Sequence, residues 1–366
     1  MSSEKKFKIN SKVLFMIFAI VIGLLVGSIV LLISGYNPVE TYSLLITGIF
    51  QKPKNIAWTI VNATPLIFTG LSFAFALKTG LFNIGAEGQY IVGTIVAFLV
   101  GFLVDLPPII HIPLILISAV IAGAIYGGIS GFIKAKFGMS EVISTIMLNW
   151  IAFYMNNFIV NMKAFKKPNS MGTFDILESG KITFFKDGVK NMSPFFMNFF
   201  AAPVHFGIIL AIISSIVIWF ILKKTTLGYK LKSVGYNPYA SEYAGINVNA
   251  KLTQAMAISG ILAALGGACQ LLGYSYSLTS LSAMQNFGFN GMAVSLLAYN
   301  NPIGCIVSAL FFGGLNYTSG NVQRVTGAPS ELIQIIIGTI VLFTAIPYVF
   351  KIIKAKIAKK RSIKNV

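Results

Sequence analysis

The sequence predicts an all-α integral membrane protein: a polytopic helical bundle of about ten transmembrane helices, within a range of eight to ten. Three observations carry that prediction. Of the 366 residues, 56% are hydrophobic and 10% are charged, against about 25% charged in a soluble domain. A chain of this size has too little core to hide so much apolar surface. Uncharged runs long enough to cross a hydrocarbon core of about 30 Å recur along the chain. The basic residues behind the net charge of +18 sit in short clusters between those runs, as cytoplasmic anchors do. They form no groove of interleaved basic and aromatic residues, which argues against nucleic acid as a partner and leaves the lipid bilayer.

The first run, 13–34, is followed by no small-residue cleavage site and reads as a retained anchor. Runs at 56–77, 88–104, 109–133, 142–162, 206–222 and 332–350 are read in the same way. Residues 252–323 hold no charge at all. That stretch is too long for two simple spans and is broken by Gly, Asn and Pro. It divides into about 252–273, a short 286–299 and 303–319, which completes the ten.

Orientation follows from the lysines at the span ends. Lys5, Lys6, Lys8 and Lys12 precede the first run; Lys351, Lys354, Lys356, Lys359, Lys360, Arg361 and Lys364 follow the last. Both termini are therefore expected in the cytoplasm, which requires an even number of crossings. The domain plan is a basic cytoplasmic N-terminus (1–12), one transmembrane domain (13–350) and a basic cytoplasmic tail (351–366). Connector 163–205 is then expected on the extracytoplasmic side and the coupling connector 223–251 in the cytoplasm.

Small residues recur four apart at Gly23 and Gly27 and at Gly123, Gly127 and Gly131. Such stripes let helix backbones approach closely, within one bundle or across a dimer face. Cys269 and Cys305 lie in apolar runs with no metal-ligating neighbour and read as packing residues. His111 and His205 stand alone at span edges and read as interfacial. The one Gly-Lys pair, Gly180-Lys181, is followed by Ile182 and lacks the remaining P-loop residues. With no His-Asp-Ser cluster and no carboxylate pair, the chain is expected to have no catalytic residue, no metal and no cofactor, and not to be an enzyme.

Three segments carry polar residues where lipid makes them costly. Lys78, Asn83, Glu87 and Gln89 fall between two apolar runs among Gly80, Gly85 and Gly88. A charged group at membrane depth costs at least about 2.5–3.5 kcal/mol and marks a pathway or a buried pair. Broken backbone there must face protein or a water-filled cavity. The segment is thus either a broken helix lining a path or a solvated cytoplasmic turn. Phe289-Asn290-Gly291 echoes Phe82-Asn83-Ile84-Gly85, as paired glycine-broken segments do in the two halves of a transporter. In the basic connector, Asn237 is a good N-cap, Pro238 a good first helical residue and Gly245 a good C′ residue. They predict a helix of about seven residues, too short to persist without docking on something.

These segments are recognisable. Gly80-Leu-Phe-Asn-Ile-Gly-Ala-Glu-Gly-Gln89, Tyr236-Asn-Pro-Tyr-Ala-Ser-Glu-Tyr-Ala-Gly-Ile246, Gly288-Phe-Asn-Gly-Met-Ala-Val294 and Asn301-Pro-Ile-Gly304 resemble the permeases of bacterial ABC importers. The family serves ribose, branched-chain amino acid and nucleoside systems, and the nucleoside type is the nearest likeness. The resemblance implies a permease in the bacterial cytoplasmic membrane, paired with a second homologous permease or with itself. It also implies two ATP-binding-cassette ATPase subunits, which hydrolyse the ATP, and an extracytoplasmic substrate-binding lipoprotein. Asn237, Pro238, Ala240, Glu242, Tyr243, Ala244, Gly245 and Ile246 resemble the family's coupling helix, which docks on the ATPase.

The translocation path is expected at Phe82, Asn83, Glu87, Gln89, Phe289 and Asn290, since a neutral nucleoside calls for amides and aromatic rings. Within it Glu87 is expected to be a structural partner, of Lys78 or of backbone amides at a helix start. One alternative keeps the class and changes the cargo to a simple sugar or a branched-chain amino acid. The other is an ion-coupled secondary transporter using Glu87 and Lys78 as a relay; the coupling segment argues against it.

Overall fold

Helices dominate the fold because a backbone in lipid can satisfy its polar groups only internally. The structure, a computed structural model, describes residues 11–184 and 193–343. Lys5, Lys6, Lys8, the basic tail and part of connector 163–205 lie outside the described residues. The chain runs through α1 (Ser11–Ile33), α2 (Pro38–Phe50), α3 (Pro53–Lys78), α4 (Ala86–Leu103), α5 (Pro108–Phe137) and α6 (Glu141–Asn161). After one 3₁₀ turn (Glu178–Gly180) come α7 (Pro194–Phe199), α8 (Gly207–Lys224), α9 (Thr226–Tyr236) and α10 (Pro238–Tyr243). α11 (Val248–Gln270) continues as a π turn (Leu271–Ser275), followed by α12 (Phe287–Leu297), α13 (Pro302–Thr326) and α14 (Ser330–Phe343). The described residues hold no strand, only three isolated bridges.

Seven helices are long and apolar enough to cross a membrane: α3, α4, α5, α6, α8, α11 extended to Ser275, and α13. Three shorter apolar helices, Ile20–Ile33 within α1, α12 and α14, occupy the remaining expected runs. The chain is an all-α polytopic membrane protein. Three helices among the described residues arise where the sequence reading placed only connectors: α2, the short α7 and α9. α2 starts at an Asn37-Pro38 pair, where the Asn37 side chain accepts the Val39 N–H at 3.0 Å. α9 starts at Thr225, whose hydroxyl accepts the Gly228 N–H at 3.2 Å, and it buries Leu231 and Val234.

The contacts divide the chain into two units, residues 1–46 with 318–366, and residues 47–317. In the first, α1 and α14 meet where Gly23 faces Ile340 and Gly27 faces Ile336. The Tyr42 hydroxyl donates to the Leu24 carbonyl at 2.7 Å beside them. In the second, α11 packs on α5, α3 and α4. The α5 stripe makes this possible: Gly123 and Gly127 press on Gly260, and Gly131 on Thr253. Both glycine stripes are therefore spent on packing within the chain.

Residues 163–184 and 193–205 of the connector fold over one end of the second unit. Its backbone bonds to that end, Leu177 N–H to Gly101 O at 3.0 Å and Ile182 N–H to Leu272 O at 3.0 Å. The two histidines, expected at a lipid interface, are instead buried under it. His111 Nδ1 lies 2.8 Å from the Ser179 hydroxyl, and Nε2 lies 3.2 Å from the Val100 carbonyl. His205 sits between Gly207 and Gly273, where the π turn passes close to its ring. Burial lowers its pKa from 6.5 to about 4, so the ring stays neutral.

Candidate translocation and coupling sites

α3 ends because Gly80 takes a left-handed φ of +79°, and the turn rests on α9, Gly80 against Gly235. From there the chain turns inward. Asn83 and Gln89 are 1% exposed and Glu87 is fully buried, so the segment is a helix break facing protein. The solvated turn is ruled out for these three residues.

Asn83 Nδ2 donates within a cluster formed by Gln89 Oε1 at 2.9 Å, Ser259 Oγ at 2.6 Å and Ser72 Oγ at 3.2 Å. Gln89 Nε2 returns a bond to Asn83 Oδ1 at 3.3 Å, and the two serine hydroxyls lie 2.8 Å apart. A second amide closes the break itself. Asn149 Oδ1 accepts the Gly88 N–H at 2.7 Å and its Nδ2 donates to the Ile84 carbonyl at 3.1 Å. The backbone groups left open between α3 and α4 are thus satisfied by a side chain from α6.

Glu87 answers the same problem on α12. That helix begins inside the unit, beside Thr69, whose hydroxyl donates to the Phe287 carbonyl at 2.9 Å. Gly288 in its first turn is buried, while Asn286 just before it is exposed. Glu87 Oε1 accepts the Asn286 N–H at 2.8 Å and Oε2 accepts the Gly288 N–H at 2.6 Å. A carboxylate at a helix N-terminus is favoured by the hydrogen bonds and by the dipole. Only glycine fits at 288, because a Cβ there would run into the Glu87 backbone. Of the two kinds of partner expected for Glu87, these hydrogen bonds are to the backbone amides of a helix start.

The remaining path candidates lie apart from that cluster. Phe82 packs edge-on against Phe73, ring centroids 4.9 Å apart, and its N–H lies 3.4 Å from Glu141 Oε1. Phe289 and Asn290, on the first turn of α12, are respectively exposed and half-buried. Ser72, Ser259, Thr69 and Asn149 escaped the sequence reading. Their signal was a hydrogen-bonding side chain inside an apolar run, which Ser and Thr hide by bonding their own helix.

At the other site, α10 has the predicted caps and six residues. Asn237 Oδ1 accepts the Ala240 N–H at 3.1 Å and Pro238 opens the helix. The Ala244 N–H returns to Ala240 O at 3.1 Å, Gly245 N–H to Glu242 O at 2.9 Å and Ile246 N–H to Ser241 O at 2.9 Å. Gly245 sits at φ +78° with open space around it. Apart from Ser241, every residue of α10 is exposed, and Tyr239 and Tyr243 project almost wholly from the surface. Glu242 stands between them.

The sequence profile of the family described as branched-chain amino acid transport system / permease component matches residues 55–345. This chain belongs to that permease family. It is 39% identical to the guanosine ABC transporter permease protein NupP of Bacillus subtilis, over 96% of this chain and 98% of that one. It is 38% identical to the nucleoside ABC transporter permease protein NupB of Lactococcus lactis, over 95% of each. A second Bacillus subtilis protein, the guanosine ABC transporter permease protein NupQ, is 32% identical over 70% of this chain and 78% of its own. No solved structure gives a significant match.

Proposed function

We propose that this chain is the membrane-spanning permease subunit of an ATP-binding-cassette importer for nucleosides. The single observation that carries the cargo is the near-complete alignment with NupP and NupB. ATP is hydrolysed by separate ATPase subunits, and an extracytoplasmic lipoprotein delivers the nucleoside. A second homologous permease completes the pair; the similarity to both NupP and NupQ of one bacterium supports a paired arrangement. α10 meets the ATPase through Tyr239, Glu242 and Tyr243, and the caps at Asn237 and Gly245 hold it in shape without the partner. Phe289 and Asn290 face the passing cargo. Asn83, Glu87 and Gln89 hold the broken backbone that forms the wall of the path. Both termini and α10 lie in the cytoplasm and connector 163–205 outside.

The test is uptake of labelled nucleosides by cells with and without this gene. Loss of uptake on deletion, restored by the gene, is the expected result; undiminished uptake refutes the cargo. In a Cys269→Ala/Cys305→Ala background, Met171→Cys should react with an impermeant maleimide in intact cells and Tyr239→Cys only after permeabilisation. The reverse pattern refutes the orientation.

A further inference from the structure

Of the seven long helices, α5 is the least buried. Ile117, Ile121, Ile125 and Phe132 are exposed along it, and their spacing of four and seven keeps them on one side of the helix. Lipid tails are as apolar as such side chains, so this stripe is suited to acyl chains.

The stripe ends at a recess of about 510 Å³ between the end of α5 and the start of α11. Phe132 and Lys136 line it from α5, and Asn249, Thr253 and Gln254 from α11. The two helices run antiparallel here, with Gly131 against Thr253 and Gly123 against Gly260, so their polar ends lie at one level. That level is the membrane edge. The uncharged run 109–133 ends within one turn of Lys136, and the uncharged stretch 252–323 begins directly after Lys251.

The recess is cationic. The Lys136 ammonium lies over the Phe132 and Phe137 rings, 5.5 and 5.8 Å from their centroids. Lys251 Nζ reaches the same place, donating to Gln254 Oε1 at 2.7 Å. Neither lysine forms an ion pair among the described residues, and Glu141, at the start of α6, is already paired with Lys134. Among the described residues no acid lines the recess. Lys136, Asn249 and Gln254 are all exposed, so a ligand can reach them.

Charge and position together select that ligand. Two ammonium groups with amides beside them suit a phosphate. A soluble anion would use the charge and leave the apolar stripe bare. A zwitterionic lipid would bring an ammonium of its own, which the two lysines repel. A phospholipid of net negative charge matches both parts, and basic pockets between helices at a membrane edge hold such headgroups.

We propose that this recess binds an anionic phospholipid, its phosphate at Lys136 and Lys251 and its acyl chains along the exposed stripe of α5. In the orientation proposed above, this edge faces the cytoplasmic leaflet, whose anionic lipids attract basic groups. The binding itself depends on neither the orientation nor the cargo, so its failure and theirs are distinguishable.

The experiment titrates the detergent-solubilised transporter with phosphatidylglycerol or with phosphatidylcholine of the same chains, and reads the lipid-bound fraction by native mass spectrometry. The wild type should prefer phosphatidylglycerol; equal binding of the two overturns the proposal. Lys136→Gln/Lys251→Gln should weaken phosphatidylglycerol about thirtyfold, two contributions of about 1 kcal/mol each, and leave phosphatidylcholine unchanged. Wild-type affinity in that variant overturns the proposal. Lys230→Gln/Lys232→Gln removes the same charge from α9 and should keep the preference; an equal loss there would mean diffuse surface charge and no site. Millimolar inorganic phosphate should not compete, and displacement by it would make this a soluble-anion site. Should the first variant assemble poorly, Asn249→Asp decides, because it adds a carboxylate to the recess and keeps both lysines. It should weaken phosphatidylglycerol alone, and unchanged binding overturns the proposal equally.

Discussion

Glu87 and Gly288 are 201 positions apart in the chain, yet the Glu87 carboxylate accepts the Gly288 N–H at 2.6 Å. With the matching bond from Asn286, a single side chain of α4 caps a helix that starts inside the unit. The buried charge that looked in the sequence like a candidate relay is thereby matched to two backbone donors.

If Glu87 is a cap, its removal should be felt in assembly. Glu87→Ala leaves the buried Gly288 N–H without its acceptor, at roughly 1–3 kcal/mol, and removes the bond from the more exposed Asn286 N–H. The detergent-solubilised complex should lose several degrees of thermal stability, and its abundance in membranes should fall. Glu87→Gln keeps one acceptor oxygen and should be the milder change. If Glu87→Gln assembles fully but imports nothing, the carboxylate has a transport role and the ion-coupled reading returns.

Asn83 and Gln89 bond to each other, and Asn83 alone reaches the Ser72–Ser259 pair, so their substitutions should not add. Either single change to Ala strands partners in the cluster, and the double change removes the stranded groups as well. Thermal unfolding of the two singles and the double should give an interaction of roughly 0.5–3 kcal/mol. Strict additivity would mean that the amides act independently.

The α5–α11 contact makes a sharper demand. A side chain at Gly127 would press on the Met256 carbonyl and the Gly260 backbone, neither of which can yield. Gly127→Val should abolish accumulation of the protein in membranes. Gly320 has open space around it, and Gly320→Ala should accumulate normally. Equal abundance of the two variants would show that the stripe is not packed as described.

His205 gives the fold a pH dependence. Its pKa is about 4 when folded and 6.5 when free, so the unfolded chain takes up the proton first. The full stability is present above pH 6.5, declines as pH falls from there, and has lost about 3 kcal/mol from this residue near pH 4. His205→Asn should flatten that part of a plot of thermal stability against pH. An unchanged slope would place the dependence on other groups.

The apolar runs were legible in the sequence because lipid leaves composition little freedom: every run expected to cross holds a helix in the described residues. α9 was hidden because its buried residues, Leu231 and Val234, lie within a lysine-rich connector and its N-cap is an ordinary threonine. At the helix break, Asn83, Glu87 and Gln89 stood out as polar groups in apolar surroundings. Their partners did not, since Ser72 meets Ser259 across 187 positions and nothing local marks either.

The measurement that bears most directly on the account is nucleoside-stimulated ATP hydrolysis by the complete transporter in proteoliposomes, with the loaded binding lipoprotein supplied. Gly245 holds the end of α10 at φ +78°, an angle proline cannot adopt, and Glu242 is the exposed charge of that helix. Gly245→Pro and Glu242→Lys should insert and assemble normally, yet lose both the stimulation by nucleoside and the uptake that depends on it. Wild-type stimulation in both variants would contradict the assignment of α10 as the contact through which ATP hydrolysis drives this permease.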